Sequence, residues 1–295
     1  MFFQVIDVFG LSLYQMCMLF VVWSFLGWAI EVCAHTVKMG EYSNRGFLSM
    51  PICPIYGVGV MILTIVLRPV MSSAFLVFLF SMIICTAFEL FVGVMMKVLF
   101  HNIWWDYSDE KFNFKGYICL KVSLEWGLGG LIVVMHVVPF TEKLIDLVPH
   151  TVGIIFLAVM LILIIIDTVN SVAAVTRLNM RLKEISEISE KMYDIAQYIG
   201  KNLGDTALEA AEKGAETAAA YHEAKENIRE DIDNIKENAE EKSAETLERL
   251  RARMDALAAF RDKGTARLIK AYPTLRSVDY GDALDKIRKK QRRES

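Results

Sequence analysis

Five apolar stretches constrain this chain more than any other feature of its sequence. They lie at about 12–34, 53–70, 72–97, 117–139 and 148–172. A helix needs about 20 apolar residues to cross a hydrocarbon core ~30 Å thick, and only the second stretch is clearly short. The first has no basic residue before it, so it reads as a retained helix and not as a cleaved signal peptide. The sequence therefore predicts an all-α, polytopic membrane bundle of about five transmembrane helices.

Charge divides the chain into an apolar part and a polar part. Only eight of the 32 Lys and Arg and 11 of the 35 Asp and Glu lie before residue 177. We interpret 1–176 as the transmembrane domain and 177–262 as a coiled-coil-like helical stalk, weakened where Gly200, Gly204 and Gly214 fall. The last part, 263–295, is a short helical, basic tail. The tail could contact anionic lipid or be solvated, and the stalk could make a homo-oligomer.

Basic residues indicate how the bundle is oriented. With five spans, most lysines and arginines of the short loops share one side, which the positive-inside rule makes cytoplasmic. Only Arg68 and Lys143 lie on the other side. We expect an inner-membrane protein with its N-terminus outside and its C-terminal extension in the cytoplasm.

Two polar segments between the spans repeat one another. NRGFLSMPICPIYGVG (44–59) and NFKGYICLKVSLEWGLG (113–129) align with a shift of 70 positions, and WAIE (28–31) aligns with TAFE (86–89) after one gap. Both hairpins would start outside, which predicts a parallel repeat about an axis along the membrane normal. Chance similarity between two glycine- and aromatic-rich membrane segments is the alternative.

Ionisable residues inside the spans are the candidate functional groups. Each costs about 2.5–3.5 kcal/mol in a bilayer, so it is expected to pair or to face water. Lys121 and Glu125 are four apart on one helix face and can pair directly. If the hairpins fold back, Glu31 can meet Arg45 and Glu89 can meet Lys115. The set could lock helix register, or it could line a polar cavity open to the cytoplasm, which we favour. The candidate cavity-facing residues are Glu31, Asn44, Arg45, Tyr56, Glu89, Asp106, Tyr107, Lys115, Lys121 and Glu125.

No residue pattern predicts a metal, a cofactor or a catalytic centre. Asp106, Ser108 and Asp109 lack the spacing of a calcium loop, so a structured interfacial loop is favoured over a cation site. The five cysteines form no CxxC pair, and the histidines show no HExxH spacing. No fold signature supports nucleic-acid binding. We therefore expect a protein that is not an enzyme and whose first partner is the lipid bilayer.

Several of these motifs resemble one family. GWAIE, NRGFLSMPICPIYGVG, WWDYS, KGYICLKVSLEWG and the closing AYPTLRSVDYGDALDKIRKK resemble the CmpB-like ABC-transporter type IV membrane protein family. The resemblance implies a bacterial permease component of the cell membrane. The chain has no GxxxxGK[ST] loop, so such a permease would need a separate ATPase subunit.

Three functions therefore stay open. The first is a transport-associated subunit that uses the polar cavity. The second is a membrane scaffold or sensor that recruits partners through its stalk. The third, ranked last, is a membrane-embedded enzyme acting on a lipid-linked substrate through Glu31, Glu89 or Asp106, because the sequence shows no perturbed carboxyl pKa.

Overall fold

The computed structural model describes residues 7–8, 11–216, 245–259 and 262–293, and most of them are helical. The chain forms two compact units. The first contains Met1–Leu178 and Arg261–Asp279, and the second contains Asn179–Phe260 and Tyr280–Ser295. The structure thus divides the predicted tail 263–295 between the two units.

The first unit is a helical bundle with three short strand pairs. Its helices are α1 (Leu13–Met39), α2 (Pro54–Leu67), α3 (Ala74–Phe100), α4 (Leu120–Ile132), α5 (Val138–Asp146), the start of α6 (His150–Glu216) and α8 (Lys263–Ala271). Its strands are β1 (Asp7–Val8), β2 (Leu11–Ser12), β3 (Asn102–Ile103), β4 (Asn113–Phe114), β5 (Ile118–Cys119) and β6 (Arg276–Ser277). The pairs β1–β2, β3–β6 and β4–β5 are all antiparallel.

Four helices in the described part of the chain are long and apolar enough to cross a membrane. They are Leu13–Met39, Ala74–Phe100, Leu120–Asp146 and the first part of α6. The helix α2 has 14 residues, or about 21 Å at 1.5 Å per residue, which is less than the ~30 Å core. A fifth complete span therefore stays a prediction.

The helix that contains the predicted span of about 117–139 has different ends from that span. The helix begins at Leu120, after the β4–β5 turn, and continues to Asp146 through a π-helical turn at Val133–Val137. Pro139 explains the turn, because proline has no N–H and its ring clashes with the carbonyl four residues earlier. Widening the preceding turn relieves that clash without ending the helix.

Local sequence sets the helix ends. Ser12 and Gln15 form a capping box at the start of α1, and Gly40 ends that helix in the left-handed region at φ +74°. Pro54 occupies the first turn of α2, where its missing N–H costs nothing. At the start of α3, the Ser73 side chain accepts a bond from the Leu76 N–H.

The helices α1 to α4 form two hairpins. The helix α1 packs most extensively on α2, and α3 on α4. One apolar core, with Trp23, Val60 and Val138 among its members, joins α1, α2 and α5. We call the end of the bundle that carries residues 40–53 and 101–119 the loop face.

Glycines make equivalent close contacts in the two hairpins. A Cβ added to Gly57 would lie 2.2 Å from Ser24 Oγ, and one added to Gly127 would lie 3.1 Å from Met82 Cβ. Gly57 maps onto Gly127 with the shift of 70, and Ser24 maps onto Met82 with the shift of 58 found for WAIE and TAFE. The contacts thus follow the predicted duplication, and small residues let the helix backbones approach closely.

The second unit consists of the rest of α6, a helix α7 at 245–259 and α9 (Gly281–Arg293). Arg253 of α7 bonds to Glu184 of α6, and Lys286 of α9 donates to Ser189 of α6 at 2.6 Å. The helix α6 runs unbroken to Glu216 through Gly200, Gly204 and Gly214, so the weakening expected at these glycines stays a prediction. A coiled coil stays a prediction.

Candidate functional site

A first carboxylate centre joins the two helices of the first hairpin. Glu31, on α1, accepts bonds from Arg45 Nη2 at 3.0 Å and Nε at 3.3 Å through one oxygen. Its other oxygen accepts the hydroxyl of Tyr56, in the first turn of α2, at 2.8 Å. The predicted pair between Glu31 and Arg45 is therefore present, and Tyr56 completes the centre.

A second carboxylate centre lies in the second hairpin. Glu89, on α3, is 7% exposed. It accepts the Tyr107 hydroxyl at 3.1 Å on one oxygen and Trp126 Nε1 at 3.2 Å on the other. Burial raises the pKa of Tyr107 above its ordinary value, and the nearby Glu89 carboxylate raises that pKa further. The hydroxyl therefore stays protonated and keeps donating.

The predicted pair between Glu89 and Lys115 is wrong. Lys115 is exposed, and its Nζ lies 5.8 Å from the centre of the Phe114 ring. Lys115 and Gly116 both have positive φ, +51° and +74°, in the tight turn between β4 and β5. That turn leaves Tyr107, and not Lys115, to occupy the position beside the carboxylate.

The two centres are joined across the bundle. Tyr56 and Trp126 occupy equivalent positions in the repeat, and each donates to the carboxylate of its own hairpin. Their rings contact each other, with centroids 5.8 Å apart. A continuous line of polar and aromatic groups therefore runs from Glu31 to Glu89 where the hairpins meet.

The segment 41–53, which we call the return loop, lies against α1 and not beyond its end. Trp28 Nε1 donates to Asn44 Oδ1 at 2.7 Å, and Asn44 Nδ2 donates to the Ser49 carbonyl at 2.7 Å. The Cys53 N–H reaches the carbonyl of Ser24, in the middle of α1, at 2.8 Å. Non-helical backbone inside a bundle needs such internal partners.

Asp167 supplies one of these partners. The residue is 8% exposed on α6, and its Oδ2 accepts the Met50 N–H at 2.8 Å. The charge that the sequence places within the last span thus holds the backbone of the return loop.

A segment near the C-terminus supplies further hydrogen-bond partners for the backbone of the return loop. We call residues 262–279 the docking segment. The guanidinium of Arg267 donates to the carbonyls of Gly46 at 3.0 Å, Leu48 at 2.8 Å and Phe47 at 2.7 Å. Hydrogen bonds from a charged donor are the stronger kind, and the planar fork of arginine suits several acceptors at once.

The docking segment also contacts the first carboxylate centre. Arg45 donates to the Ala271 carbonyl, and its guanidinium lies 5.5 Å from the centre of the Tyr272 ring. The Tyr272 ring meets Trp104 edge-on at 4.8 Å. Arg45 thus connects Glu31 to the docking segment.

The docking segment reaches the second hairpin through a strand. Residues Arg276 and Ser277 pair with Asn102 and Ile103 to form β6–β3. Arg276 also bonds to Asp106 at 3.0 Å. A hydrogen bond from Ser108 is the first cause that lowers the pKa of Asp106 below its ordinary value, and Arg276 lowers that pKa further. The carboxylate therefore stays charged and holds the strand.

Lys121 and Glu125 point away from the bundle. Both are exposed, and Lys121 bonds to Glu110 at 3.1 Å. The predicted pair between Lys121 and Glu125 is therefore wrong. Because α4 begins at Leu120, Lys121 lies in its first turn, within reach of the preceding loop.

The structure thus divides the ten predicted residues into three groups. Those of the two centres are Glu31, Arg45, Tyr56, Glu89 and Tyr107; those that bond within or between loops are Asn44 and Asp106; those that face outward are Lys115, Lys121 and Glu125. The sequence prediction missed Trp126, Arg267, Tyr272 and Arg276. The repeat alignment could have identified Trp126, since it is the equivalent of Tyr56. Among the described residues, no group of three or more His, Cys, Asp and Glu side chains could hold a metal ion.

Comparison with known proteins gives one match. The family model described as "Putative ABC-transporter type IV" matches residues 18–172, more than half of the 295-residue chain. The matched region contains both hairpins and both carboxylate centres. No curated protein and no solved structure is significantly similar to the chain.

Proposed function

Because this chain belongs to the ABC-transporter type IV family, we propose that it is the membrane-embedded subunit of a transport complex. The sequence contains no GxxxxGK[ST] loop, so we propose that ATP is hydrolysed by a separate chain. The loop face would be cytoplasmic, as the positive-inside rule predicts.

The observation that supports this proposal best is the contact between the two centres. Proteins built from parallel repeats can move one repeat against the other, and substrate sites lie where the repeats meet. Here that interface contains Tyr56 and Trp126, each bonded to an intramembrane carboxylate. Ionisable and polar groups at such a place in the membrane typically mark a substrate or ion pathway.

We propose that the structure corresponds to a closed state of this junction. Both oxygens of Glu31 and both oxygens of Glu89 accept bonds from protein donors. Opening would exchange these donors for water or for substrate. In this proposal the carboxylates gate the interface and have no catalytic role.

The test is purification of the tagged chain from its native membranes in mild detergent. We expect a nucleotide-hydrolysing chain to co-purify, and we expect the complex to hydrolyse ATP. Tyr56→Phe should leave the complex assembled but change its ATP hydrolysis several-fold, because the bond to Glu31 is lost. Tyr42→Phe is the matched control, since Tyr42 is 62% exposed and bonds to neither carboxylate centre.

A second function, a membrane scaffold, is favoured by the same saturation of the carboxylates. If their bonds only lock the helices, Tyr56→Phe will lower the stability of the protein and leave its partner's activity unchanged. Co-purification of cytoskeletal or division proteins, with no ATPase, would contradict the transport proposal and support the scaffold.

A further inference from the structure

An amphiphilic cleft of about 690 Å³ opens on the loop face, beside the second hairpin. Its wall on α3 consists of Leu90, Val94 and Lys97, which are four and three residues apart and therefore share one helix face. These residues cover about 10 Å along the helix axis at 1.5 Å per residue. The cleft is thus apolar toward the middle of the span and basic at its end.

The basic end of the cleft carries a net positive charge. Lys97, Lys115 and Arg276 line it, against the single carboxylate of Asp106. Arg276 is paired with Asp106, which leaves the two lysines as the charges available to a ligand. Among the residues that the structure describes, neither lysine forms an ion pair. Lys97 Nζ lies 5.9 Å from the Tyr117 ring centre, and Lys115 Nζ lies 5.8 Å from the Phe114 ring centre.

The apolar part of the cleft is open to the surroundings of the helix. Val94 is 41% exposed, Phe114 is 54% exposed and Val278 is 46% exposed. A free inorganic anion would use the lysines and leave these apolar side chains uncovered. A phosphate that is joined through glycerol to acyl chains, as in a phospholipid, would use both parts.

We propose that this cleft binds the phosphate headgroup of an anionic phospholipid, with Lys97 and Lys115 on the phosphate and one acyl chain along Leu90 and Val94. The site does not depend on the transport proposal, because it uses none of the residues of the two carboxylate centres. Its floor includes Arg276 of the docking segment, so the bound lipid would contact three parts of the first unit: α3, the β4–β5 turn and β6.

The test reconstitutes the full chain in phosphatidylcholine nanodiscs that contain a tenth of phosphatidylglycerol. After transfer to detergent, the amount of each lipid that stays bound to the protein is quantified by mass spectrometry. We expect the wild type to retain phosphatidylglycerol in preference to phosphatidylcholine. A basic residue near an anionic surface contributes about 1 kcal/mol, so Lys97→Gln should weaken the preference about fivefold and the double variant with Lys115→Gln roughly 25-fold.

Lys111→Gln is the matched control, because Lys111 is exposed in the same loop but does not line the cleft. An unchanged preference in the double variant, or an equal loss in the control, would overturn the proposal. A soluble-ligand arm adds inorganic phosphate or glycerol phosphate before detergent transfer. Displacement of the lipid by millimolar inorganic phosphate would overturn the assignment to a lipid, whereas retention supports it.

Discussion

Glu31 and Glu89 occupy equivalent positions of the repeat but are stabilised in different ways. Glu31 accepts bonds from a guanidinium and a phenol, whereas the donors to Glu89 among the described residues are a phenol and an indole. A charged donor stabilises a carboxylate more strongly than a neutral donor does. The first centre therefore contains an ion pair and the second does not.

A double-mutant cycle measures this difference. Arg45→Met and Glu31→Gln should each lower the midpoint of thermal unfolding in detergent. The double variant should lower that midpoint by less than the sum of the two single decreases. Groups in direct contact couple by about 0.5–3 kcal/mol. We expect the low end of this range, because the Arg45 and Glu31 side chains are 21% and 33% exposed.

The repeat supplies the matched control for this cycle. Lys115 and Glu89 are the equivalent residues, and they do not bond to each other. The cycle of Lys115→Met with Glu89→Gln should be additive. Equal coupling energies in both cycles would mean that the direct bond between Arg45 and Glu31 adds nothing to the stability of the protein.

At the scale of elements, each hairpin depends on one close approach between its helices. A Cβ on Gly57 would lie 2.2 Å from Ser24 Oγ and 2.5 Å from the Phe20 carbonyl. The Phe20 carbonyl belongs to the backbone of α1, so it cannot move away from an added Cβ unless the whole helix shifts. Among the residues that the structure describes, no atom lies within 4 Å of a Cβ on Gly129, the repeat equivalent of Gly59.

We therefore expect Gly57→Ala to lower the free energy of unfolding by about 1–3 kcal/mol, the usual cost of overpacking. Gly129→Ala should be neutral or slightly stabilising, because alanine favours a helix and meets no neighbour. Thermal unfolding of both variants in the same detergent measures the difference. Two equal midpoints would contradict the close packing of α1 and α2.

The whole first unit depends on residues that come late in the sequence. Arg267 alone supplies donors to three carbonyls of the return loop. A buried carbonyl that loses its partner is costly, and a bond to a charged group contributes about 1.5–3 kcal/mol. The docking segment is therefore part of the membrane unit and not an appendage to it.

Truncation tests this conclusion. A chain that ends at residue 259 lacks the docking segment, and we expect its unfolding midpoint in detergent to fall by at least about 5 °C, since 1 kcal/mol shifts a unit of this size by ~2–4 °C. A chain that ends at Asp279 keeps the docking segment and is the control. If both truncations leave the midpoint of the membrane unit unchanged, the contacts of Arg267 do not stabilise it.

The sequence predicted what depends on local pattern and missed what depends on distant contact. Apolar length gave the long helices, and the shifts of 70 and 58 gave the equivalent contacts of Gly57 and Gly127. Arg267 was missed because its partners are backbone carbonyls, which no side-chain pattern reveals. Lys121 was paired wrongly because the start of α4 at Leu120 depends on the β4–β5 turn.

The distance along the chain between Arg45 and its partner Ala271 also has a consequence in time. The two residues are 226 positions apart, and a ribosome adds about 5–20 residues per second. The first hairpin is therefore synthesised some 10–45 s before the segment that completes its return loop, at the same rate. During that interval the carbonyls of residues 46–48 lack the donors of Arg267, so in the nascent chain they must bond to water or to other groups.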